Sequence, residues 1–139
     1  MNQQNDSNQV LVVDDDLHIR YALVDALEDE GYRALAASNG AEALQVLREL
    51  PEPPAVILLD LMMPVMDGWQ FRAQQQRDPL LSKIPVVVVS AIGNGMGEAF
   101  QVSASAYLKK PFLIQDLVAT VGRFCSNQVS VNLSGARTE

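Results

Sequence analysis

The chain has 139 residues and a formal charge of −7, which is material for one domain of ordinary size and argues against a surface of clustered Lys and Arg built to hold nucleic acid phosphates. No apolar run approaches the length of a membrane span, and the polar start MNQQNDSNQ has neither the basic residues nor the hydrophobic stretch of a signal peptide, so a cytoplasmic protein without membrane insertion is expected. Cys125 is the only cysteine, which excludes an internal disulfide and a thiolate metal site.

Val10 to Val13 form a continuous apolar run that reads as a buried strand and stops at Asp14-Asp15-Asp16. From Ile19 onward, Leu23, Ala26, Leu27 and Glu30 keep helical spacing until Gly31. Asp16 reads as the N-cap of this helix, and His18 at its start faces solvent or a partner. Tyr32 to Ala36 is a second strand. Ser38 or Asn39 then caps a helix carrying Ala43, Leu44, Leu47 and Leu50, with Glu42 in its first turn, and Pro51, Pro53 and Pro54 end it.

Ala55 to Leu59 is the third buried run and ends in Asp60. Leu61 to Gly68 is a loop shaped by Pro64 and Asp67-Gly68, followed by a short helix through Trp69, Phe71, Arg72 and Gln75. Val86 to Val89 is β-branched throughout and reads as a central strand ending in Ser90-Ala91. Gly93, Gly95 and Gly97 weaken whatever helix follows. Ala104 to Leu108 makes a fifth strand ending in Lys109-Lys110-Pro111-Phe112, and the last helix runs from about Ile114 to Phe124 with Leu117, Val118 and Val121 as its stripe. Residues 1–8 and 126–139 read as polar tails around a domain at 9–125. Val129, Val131 and Leu133 alternate with polar residues in the manner of an edge strand.

Strands alternating with helices predict an α/β fold, a parallel sheet covered on both faces, and right-handed crossovers bring every C-terminal strand end to one edge, where ligands of such sheets bind. Asp14, Asp15, Asp60, Ser90 and Lys110 follow or end strands and so meet on that edge although far apart in sequence. Each acid alone is explained as a helix cap, but three of them together repel one another unless a cation is shared. Hard oxygen donors without His or Cys suit Mg²⁺, and Lys110 adds positive charge. Such a site is arranged to neutralise phosphoryl oxygens, with Asp60 as the centrally placed nucleophile, the Met62 carbonyl available to the metal and Ser90 as a hydroxyl donor.

The segments LVVDDD (Leu11 to Asp16), LLDLMMPVMDGW (Leu58 to Trp69), VVVVSA (Val86 to Ala91) and AYLKKPF (Ala106 to Phe112) together resemble the receiver domain of bacterial two-component response regulators, over about Gln9 to Phe124. The resemblance implies a flavodoxin-like (βα)5 sandwich with strand order 2-1-3-4-5. It implies that Asp14 and Asp15 are the acidic pair and Asp60 the phosphoacceptor, with Mg²⁺ held by these three and the Met62 carbonyl. Ser90 would be the switch hydroxyl, Lys110 the essential lysine beside an often cis Pro111, and Tyr107 an aromatic that changes rotamer. A histidine kinase or histidine phosphotransfer protein would be the donor. A downstream effector protein would read the surface of the fourth helix, fifth strand and fifth helix, with no direct nucleic acid contact, and phosphorylation-dependent homodimerisation is compatible with this. The domain would be a stand-alone switch with limited self-catalysed chemistry, not a metabolic enzyme. Alternatives are a phosphorylation-independent scaffold or a fragment of a longer regulator or hybrid kinase. Two departures from the family pattern stand out: the stretch after Ser90 is short and rich in glycine, and Ser103-Ala104 replaces Gly-Ala before the fifth strand.

Overall fold

A computed structural model describes residues 8–91 and 103–125. The expectations for the terminal tails, including the edge strand at Val129 to Leu133, and for the helix after Ser90 lie outside the described residues. Along the chain come β1 (Gln9–Val13), α1 (Leu17–Asp29), β2 (Arg33–Ala37), α2 (Gly40–Glu49), β3 (Val56–Leu59), α3 (Gly68–Gln76), β4 (Val86–Ser90), β5 (Ala106–Lys109) and α4 (Ile114–Gly122). The strands form one sheet in the order β2-β1-β3-β4-β5, every pair parallel, as the sequence predicts.

The apolar runs of β1, β3 and β4 are continuous because both faces of the sheet are covered, while the period of two sends alternate residues to opposite sides. Leu11, Val13, Ile57, Leu59, Val86 and Val88 pack with Ala43, Leu44 and Leu47 of α2 and Phe71 of α3. Val10, Val12, Val56, Leu58, Val87 and Val89 pack with Leu23 and Leu27 of α1 and with Leu117 and Val121 of α4.

Helix ends follow local chemistry. Asp16 caps α1 as expected, accepting from the N–H groups of His18 and Ile19. Asn39, not Ser38, caps α2, while Glu42 reaches back to the backbone N–H and hydroxyl of Ser38. Asp67 and Gln70 form a reciprocal capping box at α3. Leu50 leaves α2 with extended backbone because Pro51 disfavours a helical predecessor. The second strand starts at Arg33 rather than Tyr32, whose ring instead packs into the core beneath the α1–β2 turn. β5 begins at Ala106 rather than Ala104, and α4 ends at Gly122, since the Arg123 N–H already bonds Thr120 and Val121 carbonyls in a tightened last turn.

Among the described residues, two exposed backbone positions are left-handed without being glycine: Val65 (φ 69°) and Ser103 (φ 56°). Ser103 thus stands where glycine adopts the conformation freely, and its carbonyl is gripped by Arg72 Nη2 at 3.1 Å. Arg72 Nη1 also donates to Gln75 Oε1 at 2.9 Å, and the fully buried Gln75 amide donates to the carbonyls of Leu81 and Ile84. This polar network ties α3 to the connection before β4 and to Ser103 in the segment that leads into β5.

Candidate functional site

Parallel pairing continues one residue beyond three of the strands and thereby fixes the backbones of the residues expected at the site. The Asp14 N–H donates to Ala37 O at 3.1 Å, the Asp60 N–H to Val13 O at 2.9 Å and the Lys110 N–H to Ser90 O at 2.9 Å. Asp14, Asp60 and Ser90 are buried, and Asp15 is exposed.

The two buried carboxylates are oriented alike. Asp14 Oδ1 accepts from the Asp16 N–H at 2.9 Å and Asp60 Oδ1 from the Met62 N–H at 3.3 Å. Their Oδ2 atoms both face Lys110 Nζ, at 2.8 Å from Asp14 and 3.3 Å from Asp60. The Lys110–Pro111 peptide is cis, as the resemblance implies. Burial pushes the Asp60 carboxyl above its ordinary range; the Lys110 charge opposes this and the Asp14 charge adds to it. Burial alone would lower Lys110, but the Asp14 hydrogen bond and the charges of Asp60 and Asp14 outweigh it and hold the ammonium above its usual value.

Carboxylate oxygens of Asp14, Asp15 and Asp60 lie within 4.8 Å of one another. That all-oxygen set, with no imidazole or thiolate beside it, fits a hard divalent cation such as Mg²⁺. Met62 touches the cluster through its backbone while its side chain stays exposed. Tyr107 is half-buried and its hydroxyl donates to the Ser90 carbonyl at 3.2 Å, which ties it to the Ser90 backbone. Lys109, next to Lys110, is exposed.

One residue of the site carries no flag in the sequence. Arg20 Nη1 donates to the Asp14 carbonyl at 2.8 Å. The available signal is geometric: long side chains in a helix lean toward its N-terminus, so a cation in the second turn of α1 reaches the end of the preceding strand. Beside the acids, an apolar groove of about 470 Å³ runs between α1 and the β5–α4 connection, lined by Ile19, Ala22, Leu23, Ala91, Lys110, Pro111, Phe112 and Ile114.

The family model for the response regulator receiver domain matches residues 10–122. The chain belongs to that family. The receiver domain is 38% identical over 139 aligned residues to the DNA-binding transcriptional regulator NtrC of Escherichia coli K12, covering 94% of this chain and 29% of that protein. The chain spans about half the length or less of the curated relatives it matches. Among solved structures it resembles the Vibrio cholerae chemotaxis protein CheY4, with a TM-score of 0.76 and 29% identity over 85% of this chain and 98% of that one. The receiver domain of a Pseudomonas aeruginosa PAO1 sensor histidine kinase, whose structure has a magnesium ion coordinated in its active-site cleft, shares the fold, with a TM-score of 0.77, 23% identity and coverage of 87% and 99%. Among the described residues of this receiver domain, no helix is long and apolar enough to cross a membrane.

Proposed function

We propose that this receiver domain is a phosphoacceptor switch: an Asp60 carboxylate oxygen attacks the phosphorus of a phosphohistidine, the P–O bond forms as the P–N bond breaks, and the electron pair of that bond stays with the donor imidazole. The observation that carries this reading is the convergence of Asp14, Asp15, Asp60 and Lys110 at one sheet edge in a chain of the receiver family. Asp14, Asp15, Asp60 and the Met62 carbonyl would hold Mg²⁺, which when bound neutralises phosphoryl oxygens. The Met62 N–H and Lys110 Nζ already address the two oxygens of Asp60, so the nucleophile is oriented before a donor arrives. Once phosphorylated, Asp60 draws Lys110 and the Ser90 hydroxyl toward the new anion. The Ser90 backbone carries the Tyr107 hydroxyl with it, biasing an existing equilibrium at the output surface.

The donor is a cytoplasmic histidine kinase or phosphotransfer protein, for which the apolar groove beside Lys110 is a suitable seat. Output passes to an effector protein rather than to nucleic acid directly, consistent with the charge of −7. The domain acts as a switch and not as a metabolic enzyme. Intact mass after incubation with Mg²⁺ and acetyl phosphate tests this: the wild type gains one phosphoryl group, the gain needs Mg²⁺, and Asp60→Asn abolishes it. No adduct on the wild type would leave a phosphorylation-independent scaffold as the better account.

A further inference from the structure

We propose that Arg20 is a positioning residue of the Mg²⁺ pocket, acting through the Asp14 carbonyl and not through its charge; this rests on the reading of the acidic cluster as a Mg²⁺ site. Every hydrogen-bonding group of Asp14 has a partner. Its N–H meets Ala37 O, Oδ1 the Asp16 N–H, Oδ2 Lys110 Nζ, and its carbonyl the half-buried Arg20 guanidinium at 2.8 Å. That carbonyl belongs to the peptide linking Asp14 to Asp15. Because the peptide is planar, fixing its oxygen also fixes the direction in which the Asp15 backbone sets off. Asp15 is the exposed member of the cluster, so its placement rests on the backbone that carries it.

The Arg20 charge is also felt by Glu42, whose carboxyl the hydrogen bonds from Ser38, together with that charge, hold below the ordinary carboxylate range. The planar guanidinium holds its donor to the Asp14 carbonyl in one fixed direction, which a lysine ammonium on a flexible stem does less well.

The two roles open to a cation here have opposite signs. A positive charge near a divalent ion repels it, so deleting Arg20 would tighten Mg²⁺ binding if charge were what mattered. If Arg20 orients the acids, deletion weakens binding, as outer-shell substitutions at metal sites do by about 10- to 100-fold. Calorimetric Mg²⁺ titration of the wild type, Arg20→Gln and Arg20→Lys, each first checked for a native circular dichroism spectrum, separates them. Positioning requires Kd to rise about tenfold or more in Arg20→Gln, with Arg20→Lys between it and the wild type. Equal or tighter binding by folded Arg20→Gln overturns the proposal. Should Arg20→Gln not fold, Arg20→Lys decides alone: it keeps the charge, so wild-type affinity in that variant overturns positioning and weaker affinity supports it. A wild type that binds no Mg²⁺ removes the metal-site reading first and this inference with it.

Discussion

Asp60 is held in conflict between burial and its neighbours, and the conflict has a measurable sign. Burial raises its pKa despite Lys110, so the folded chain binds this proton more tightly than the unfolded chain does. Its contribution to stability is full below the ordinary carboxylate pKa and is lost as pH rises through the raised folded value. At neutral pH the metal-free fold therefore carries an ionised Asp60 at a cost. Without Mg²⁺ at pH 7, Asp60→Asn is expected to melt above the wild type, with the gap closing as pH falls toward about 4. A lower melting point for Asp60→Asn would mean that its pair with Lys110 outweighs desolvation. At this scale the sequence is legible where chemistry restricts the residue type: acids at strand ends, a lysine opposite, and a tyrosine beside Ser90. It is silent on Arg20, whose role depends on how one side chain lies, and on Val65, whose left-handed backbone no propensity of valine suggests.

Between elements, the tightest joint is where α3 leaves the Asp60 loop. A Cβ on Gly68 would stand 2.6 Å from the Asp60 carbonyl oxygen and 2.7 Å from Leu61 Cα, both rigid backbone. The helix start is pressed against the Asp60 loop so closely that only glycine fits. Gly68→Ala should cost about 1 to 3 kcal/mol in urea unfolding and slow acetyl phosphate labelling, since relieving the clash moves Asp60 itself. Unchanged labelling in a stable Gly68→Ala protein would show that the loop yields elsewhere. Strand and helix types were readable because the apolar runs and stripes are long relative to their turns. Their ends were readable to within a residue or two, because caps such as Asn39 against Ser38, or Tyr32 turning into the core instead of starting β2, are settled by packing that no local window contains.

Over the whole molecule, the pocket and the apolar groove share Lys110 and lie on one edge of the sheet. Leu113 and Ile114 beside the groove are large, apolar and exposed, a combination that marks contact surfaces when it is contiguous. Ile114→Asp should lower the rate of transfer from a phosphohistidine protein by about tenfold or more, while labelling by acetyl phosphate, which needs no docking, stays near the wild-type rate. Equal loss with both donors would place Ile114 in the chemistry and not in recognition. The sheet order was legible as a whole because the family resemblance and the alternation of elements pointed the same way, whereas the groove depends on how α1 and the β5–α4 connection face each other.

The Arg72–Gln75 pair gives this architecture a mechanical property. Gln75 fastens α3 to the Leu81 and Ile84 carbonyls, and Arg72 fastens the same helix to Ser103, 31 residues further along. The opposite end of β5 is pinned by Lys110 to the acids. The stretch from Ser103 to Lys110, with β5 inside it, is thus a strut anchored at both ends, one foot on the acidic pocket and the other on the helix that hangs from the same loop. A shift of either foot would load the whole strut, and Tyr107 lies between the two.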